Sequence, residues 1–160
     1  MADTCKAWLL DFGHDFMAAT ARYELEDVYT EARLTRIPMT PPYCQQVMHW
    51  RQRLIPIFNM ASFLSGESKE AKQPIIGIFG YQAQKGDRVQ YGGLILKYRP
   101  EAIEVRDADA CELPTNNAQW QYCALSSFRQ SAQVVPILDL SYLFTLSSQA
   151  PMSRRIGDPV

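Results

Sequence analysis

The chain holds only two histidines, His14 and His49, and its four cysteines, Cys5, Cys44, Cys111 and Cys123, form no CxxC pair. A structural zinc site needs clustered thiolate or imidazole ligands, so the sequence supports none, and reduced, mostly buried thiols are expected. Net charge is scarce too: the formal value is −1 at pH 7. No whole-molecule field therefore favours nucleic acid or an anionic membrane surface. No apolar run approaches the ~18 residues of a membrane span, and no basic segment precedes an unbroken apolar core, so neither membrane insertion nor secretion is expected. Cytoplasmic location is the default expectation. GxSxG, the P-loop, a GxGxxG after a strand and HExxH are all missing, and no spacing pairs two carboxylates for acid–base work. Cys44 and His49 are close in sequence, and a thiolate–imidazole pair is conceivable there, but no third residue orients it. No catalytic residue, metal or cofactor is expected.

What is present is a globular composition, 160 residues with 47% apolar and 21% charged. That fits one domain able to bury about two-thirds of its unfolded surface. Lys6–Phe12 and Phe16–Thr20 read as a hairpin around Gly13-His14-Asp15, with His14 at the loop tip. Ala21–Tyr29 reads as a short helix and then a strand. Pro38, Pro41 and Pro42 make Ile37–Tyr43 an extended loop. Val47–Trp50 and Leu54–Phe58 read as two strands around a tight polar turn, after which Asn59 caps a short helix closed by Gly66. Ser65–Gln73 is a surface loop. Pro74–Tyr81 and Val89–Leu96 are strands joined through Lys85-Gly86-Asp87. Gly92-Gly93 reads as a strand bulge rather than a phosphate cradle. Pro100–Ile103 is expected as a turn, Arg106–Asn117 as a polar loop, Trp120–Leu125 and Gln133–Leu138 as a strand pair, and Ser141–Leu146 as a helix. Many short strands between turn residues point to small barrels.

One design occurs twice. Arg53-Leu54-Ile55-Pro56-Ile57-Phe58-Asn59-Met60 and Gln133-Val134-Val135-Pro136-Ile137-Leu138-Asp139-Leu140 align without a gap. Each has an aliphatic pair before Pro-Ile, a cap residue, and a short apolar helix. Two such sites suggest two similar halves. The main polar cluster is Arg51 and Arg53 beside His49 and Trp50. Alternate residues face one side, so the two arginines are expected to project together, and arginine beside an aromatic is the composition of a protein-binding anchor.

The segment Pro41–Met60, Pro-Pro-Tyr-Cys-Gln-Gln-Val-Met-His-Trp-Arg-Gln-Arg-Leu-Ile-Pro-Ile-Phe-Asn-Met, resembles the CheW family of chemosensory adaptors. That family carries an Asn-Leu-Arg-Gly turn followed by a Pro-containing apolar strand and a capped helix. Gly93-Leu94-Ile95-Leu96-Lys97 and Val134–Phe144 extend the resemblance, which covers roughly residues 6–148. It implies a mainly β fold with few short helices: two SH3-like, five-stranded barrels packed over a shared core. A first barrel is expected over roughly 17–75 and a second over roughly 76–146, the N-terminal strand being open to either, with 149–160 as a flexible tail. It also implies a non-enzymatic scaffold coupling chemoreceptors to a sensor histidine kinase. The partners would be the receptor cytoplasmic tip and the kinase's own CheW-like regulatory domain.

Carried over residue by residue, the receptor-groove arginine is Arg51, and the early strand lining that groove is Leu25-Glu26-Asp27-Val28, giving Leu25, Glu26 and Val28 as contacts. His49 and Trp50 stand where the family has Asn-Leu, Gln46 and Gln52 where it has glycine, and Lys97 where it has Asp. Those departures make His49, Trp50, Gln46 and Gln52 part of the expected partner surface. They fit a specialised adaptor, for instance one serving type IV pili or surface motility. The alternative is a divergent module that has lost receptor and kinase binding and self-associates or serves another complex.

Overall fold

The computed structural model describes residues 4–152, with side chains through residue 147. Twelve strands form two six-stranded sheets. In chain order they are β1 (Thr4–Gly13), β2 (Phe16–Ala21), β3 (Leu25–Tyr29), β4 (Thr35–Arg36), β5 (Gln46–Trp50), β6 (Arg53–Phe58), β7 (Ile75–Tyr81), β8 (Gln90–Leu96), β9 (Glu101–Arg106), β10 (Ala110–Cys111), β11 (Ala124–Gln130) and β12 (Gln133–Leu138). Three helices accompany them: α1 (Met60–Ser65), α2 (Trp120–Cys123) and α3 (Leu140–Met152). One sheet runs β3-β7-β8-β6-β5-β4 and the other β10-β11-β12-β2-β1-β9. Each contains a two-residue edge piece, β4 or β10, so five longer strands build each barrel.

The duplication seen in sequence is exact in register. In the β5–β6 hairpin Trp50 pairs with Arg53, His49 with Leu54, Met48 with Ile55, Val47 with Pro56 and Gln46 with Ile57. In β11–β12 the corresponding pairs are Gln130 with Gln133, Arg129 with Val134, Phe128 with Val135, Ser127 with Pro136 and Ser126 with Ile137. Both turns have two residues of positive φ: Arg51 (47°) and Gln52 (63°), then Ser131 (48°) and Ala132 (68°). That is what a type I′ hairpin turn requires, because its twist matches that of the flanking strands. Both second strands then pair in parallel with a strand of their own sheet, β6 with β8 and β12 with β2.

The helices that follow start alike. Asn59 Oδ1 accepts from the Ser62 N–H at 3.0 Å, and Asp139 Oδ1 from the Tyr142 N–H at 3.2 Å. The backbone N–H of each cap residue donates back to a preceding turn, Asn59 to Tyr43 O and Asp139 to Cys123 O, both at 2.8 Å. Gly66, at φ 74°, closes α1 by donating to Ser62 O.

Equivalent positions also bury alike. Met48, Ile55 and Ile57 lie inside the first barrel with Trp50, Ile76, Ile78 and Ile95. Phe128, Val135 and Ala19 fill the second, with Ile137 packed against them. Phe58, Met60, Phe63 and Leu64 meet their counterparts Leu138, Leu140, Leu143 and Phe144 in a third cluster shared by both halves. Each strand thus gives one face to its own barrel, and each helix gives its apolar stripe to the common core.

Several expectations are corrected. β7 and β8 hydrogen-bond to β3 and β6, so the first sheet spans residues 25–96 and the second combines 4–21 with 101–138. The division expected near residue 75 falls inside the first sheet, and the N-terminal strand belongs to the second. Residues 101–106 are a strand on the edge of β1, not a turn. Trp120–Cys123 is one helical turn before β11, the counterpart of the 3-10 turn at Pro42–Cys44. Gly92 and Gly93 pair in unbroken register with Phe79 and Ile78. They form no bulge; a Cβ at Gly92 would enter the Phe144 ring, and one at Gly93 would lie 2.5 Å from Ile57 Cδ1. The last helix runs on through Met152, into the stretch expected as a tail, and residues 153–160 lie outside the described residues.

Candidate functional site

The β5–β6 turn stands at one end of the first barrel, where β3 and the start of β8 also end. Strand pleating decides what each residue there does. Met48 and Trp50 face the barrel interior, while His49, between them, is exposed beside its cross-strand neighbour Leu54. Trp50 is only 3% exposed, so the expectation of Trp50 as a stacking surface for a partner is corrected. Its size and shape close the barrel end instead. Its indole N–H donates to Asp27 Oδ2 at 3.4 Å, and the Tyr29 hydroxyl donates to the same oxygen at 2.7 Å. The Val28 N–H donates to Asp27 Oδ1 at 3.0 Å. The Tyr29 hydroxyl, the Trp50 and Val28 N–H groups and the nearby Arg51 charge together hold the Asp27 carboxyl below its ordinary range, outweighing desolvation. The same hydrogen bond pushes the Tyr29 hydroxyl up.

Two guanidinium groups lie against this cluster. Arg51 Cζ sits 4.3 Å from the Trp50 ring centroid and Arg53 Cζ 5.1 Å from that of Tyr91. The two rings contact each other at 4.8 Å. Cation–π contact with the ring face holds such a group in place while its N–H edges stay open. The expectation that the two arginines share one side fits this arrangement, in which both rest on touching rings.

The other expected contacts disperse. Gln52 is exposed at the turn tip. Gln46 begins β5, roughly 17 Å along the strand from Arg51 at ~3.3 Å per residue. There it pairs with Arg36 and Ile57 and lines a separate groove of about 190 Å³ with Gln45, Lys69 and Glu70. In β3 a bulge leaves Glu26 unpaired and exposed, while Leu25 packs against the shared core and Val28 is half-buried. The structure thus brings Arg51 and Trp50 to β3 through Asp27, and sends Gln46, His49 and Leu25 elsewhere. Tyr29 and Tyr91 were not anticipated. Tyr91 lies 40 residues along the chain from Arg51, and nothing local marks it; only the β6–β8 pairing brings it there.

Cys44 is buried and its thiol is pushed up to about 11 by desolvation, whereas His49 is exposed on β5. A thiol so placed yields little thiolate at neutral pH, so the pair has no nucleophilic character. Among the described residues no three His, Cys, Asp or Glu side chains are grouped to hold a metal, and no helix is long and apolar enough to cross a membrane.

Comparison with known proteins fits this geometry. The model of the CheW-like domain family matches residues 24–89, which covers β3 to the turn before β8. The crystal structure of the scaffolding protein TtCheW from Thermoanaerobacter tengcongensis superposes with a TM-score of 0.70 at 20% identity, over 90% of this chain and 93% of that one. That likeness extends the architecture across both barrels. No curated protein matches the chain. The chain is thus similar to CheW-like domains over its first barrel, and its paired-barrel fold is that of the solved scaffold over nearly its whole length.

Proposed function

We propose that this protein is a non-enzymatic adaptor of chemosensory signalling, coupling the cytoplasmic tip of a chemoreceptor to the regulatory domain of a sensor histidine kinase. The observation that carries the reading is the open guanidinium of Arg51. It is exposed at a barrel end, seated on Trp50, at the position that the family pattern reserves for the receptor-contacting arginine. Exposed apolar side chains at strand starts, Leu54 at 60% in the first barrel and Leu125 at 67% in the second, suit contact with another barrel. Such single anchors act when a partner excludes water around them.

The test is co-purification of the chain with a receptor cytoplasmic fragment and a kinase regulatory domain from its own organism. Wild type should retain both. Arg51→Ala should lose the receptor fragment while keeping an unchanged melting temperature and the kinase domain. Capture of neither partner by wild type would overturn the adaptor reading and favour the alternative, a module that self-associates or serves another complex.

A further inference from the structure

Arg53 belongs to no assigned contact, yet its environment copies that of Arg51. Each guanidinium lies on an aromatic face, and the two faces touch. Among the described residues neither guanidinium has a hydrogen bond or an ion pair: the ion pairs are Arg36–Glu70, Lys69–Glu67 and Arg106–Asp109. The nearest acid in the cluster, Asp27, is already occupied by Tyr29, Trp50 and Val28. It screens the arginines from below without using their donors. Two forked, permanently charged groups are therefore held on a rigid base with their N–H edges uncommitted.

The second half of the molecule closes the equivalent turn without charge. The register-equivalent turn is Ser131-Ala132, flanked by Gln130 and Gln133 where the first half has Trp50 and Arg53. It makes the same two-residue turn with the same positive φ values and no charge. The second turn thus closes without cations, whereas in the first Trp50 also belongs to the barrel core.

We infer that Arg51 and Arg53 form a two-guanidinium clamp, seated on Trp50 and Tyr91, that takes two carboxylates from one acidic segment of the partner protein. The inference rests on the adaptor reading of Arg51 and adds Arg53 to it. The charge of the site selects the partner: two exposed cations, with Asp27 engaged by Tyr29, Trp50 and Val28, leave an excess of positive charge. The ring contact sets the specificity, since a planar fork held against a ring can meet a carboxylate with two N–H groups, and a flexible ammonium does not.

The experiment measures affinity for the receptor cytoplasmic fragment by titration calorimetry with wild type, Arg51→Ala, Arg53→Ala and Arg53→Lys, each first checked for an unchanged melting temperature. Arg53→Ala and Arg51→Ala should each weaken binding about tenfold, and both should flatten the salt dependence. Arg53→Lys should recover only part of the loss, because charge returns without the fork. Glu→Gln substitutions along the acidic face of the receptor fragment should weaken wild type but add nothing to Arg53→Ala at the paired position. If Arg51→Ala weakens binding and Arg53→Ala does not, the clamp is wrong and the adaptor reading stands. If neither matters while the fragment still binds, the assigned site itself fails. Full recovery by Arg53→Lys, or displacement of the fragment by inorganic phosphate at low millimolar levels, would overturn the carboxylate clamp in favour of a general anion patch.

Discussion

The two glutamines that replace family glycines should respond in opposite directions when glycine is restored. Gln52 has φ 63° at the β5–β6 turn. For an L-residue that conformation brings Cβ against the following carbonyl and costs about 1–2 kcal/mol. Glycine removes this cost but adds unfolded-state entropy worth about 0.4–1 kcal/mol. Gln52→Gly should therefore stabilise the protein by roughly 0.5–1 kcal/mol, which corresponds to about 2–4 °C per kcal/mol in a chain of this size. Gln46 sits instead in extended β5, hydrogen-bonded between β4 and β6. Glycine there relieves nothing and should cost about 0.5–1 kcal/mol in backbone freedom.

The second barrel supplies an internal control. Ala132, at φ 68°, is the register counterpart of Gln52, and Ala132→Gly should match Gln52→Gly in sign and size. The assay is urea unfolding at neutral pH, with thermal melts as a check and m-values required to stay constant so that the midpoint reports native stability. Gln46→Gly and Gln52→Gly shifting in the same direction would refute the reasoning. So would a gain at one turn and a loss at the other, because the argument depends on backbone conformation and not on what the lost side chain touched.

Much of the fold was legible because its signals are local. Pro-Ile, a cap and an apolar helix fall within eight residues, so the repeat at Arg53–Met60 and Gln133–Leu140 shows without a structure. What failed is non-local. Assigning β7 and β8 to the first sheet requires knowing that Ile57 lies beside Gly93 and Asp27 beside Ile78, and no window of sequence contains those pairs. Gly92 and Gly93 gave an ambiguous cue, since glycine in a strand marks either a bulge or a close approach, and only Phe144 and Ile57 decide it. Trp120–Cys123 was ambiguous in period: its buried residues are spaced i, i+3, yet a short apolar run reads as readily as a strand.

The site was half legible for the same reason. Arg51 and Arg53 stand out by composition, but His49 and Trp50, expected together on the partner surface, take opposite faces of β5. The early acidic strand was expected to line a partner groove with Leu25, Glu26 and Val28, whereas Asp27 is its member that is hydrogen-bonded into the cluster. A carboxylate that accepts from an indole, a phenol and a backbone N–H cannot be told from a surface acid until β3 and β5 are placed together.

The remaining predictions concern the two cores and the barrel end. Gly92→Ala should destabilise by about 1–3 kcal/mol or more, because the new methyl enters the Phe144 ring where α3 seals the shared core. An unchanged urea midpoint would mean that α3 does not dock as described. The thiols should divide by burial: Cys5 is exposed and should react with a thiol reagent at neutral pH, while Cys44 and Cys123, pushed up to about 11 and about 12, should react only on unfolding. Asp27 should set part of the acid stability. Its folded pKa lies below the ordinary value because Tyr29, Trp50, Val28 and Arg51 all favour the charged form. The unfolded chain therefore binds the proton first as pH falls, so the stabilisation is fully present above the unfolded pKa and disappears through the folded one. Asp27→Asn should accordingly lower stability at pH 7 and flatten its decline below about pH 4. An acid limb as steep in Asp27→Asn as in wild type would show that the carboxylate carries no charge-dependent stability. The hydrogen bonds that join β3 to the Trp50 end of the barrel would then be interchangeable with those of a neutral amide.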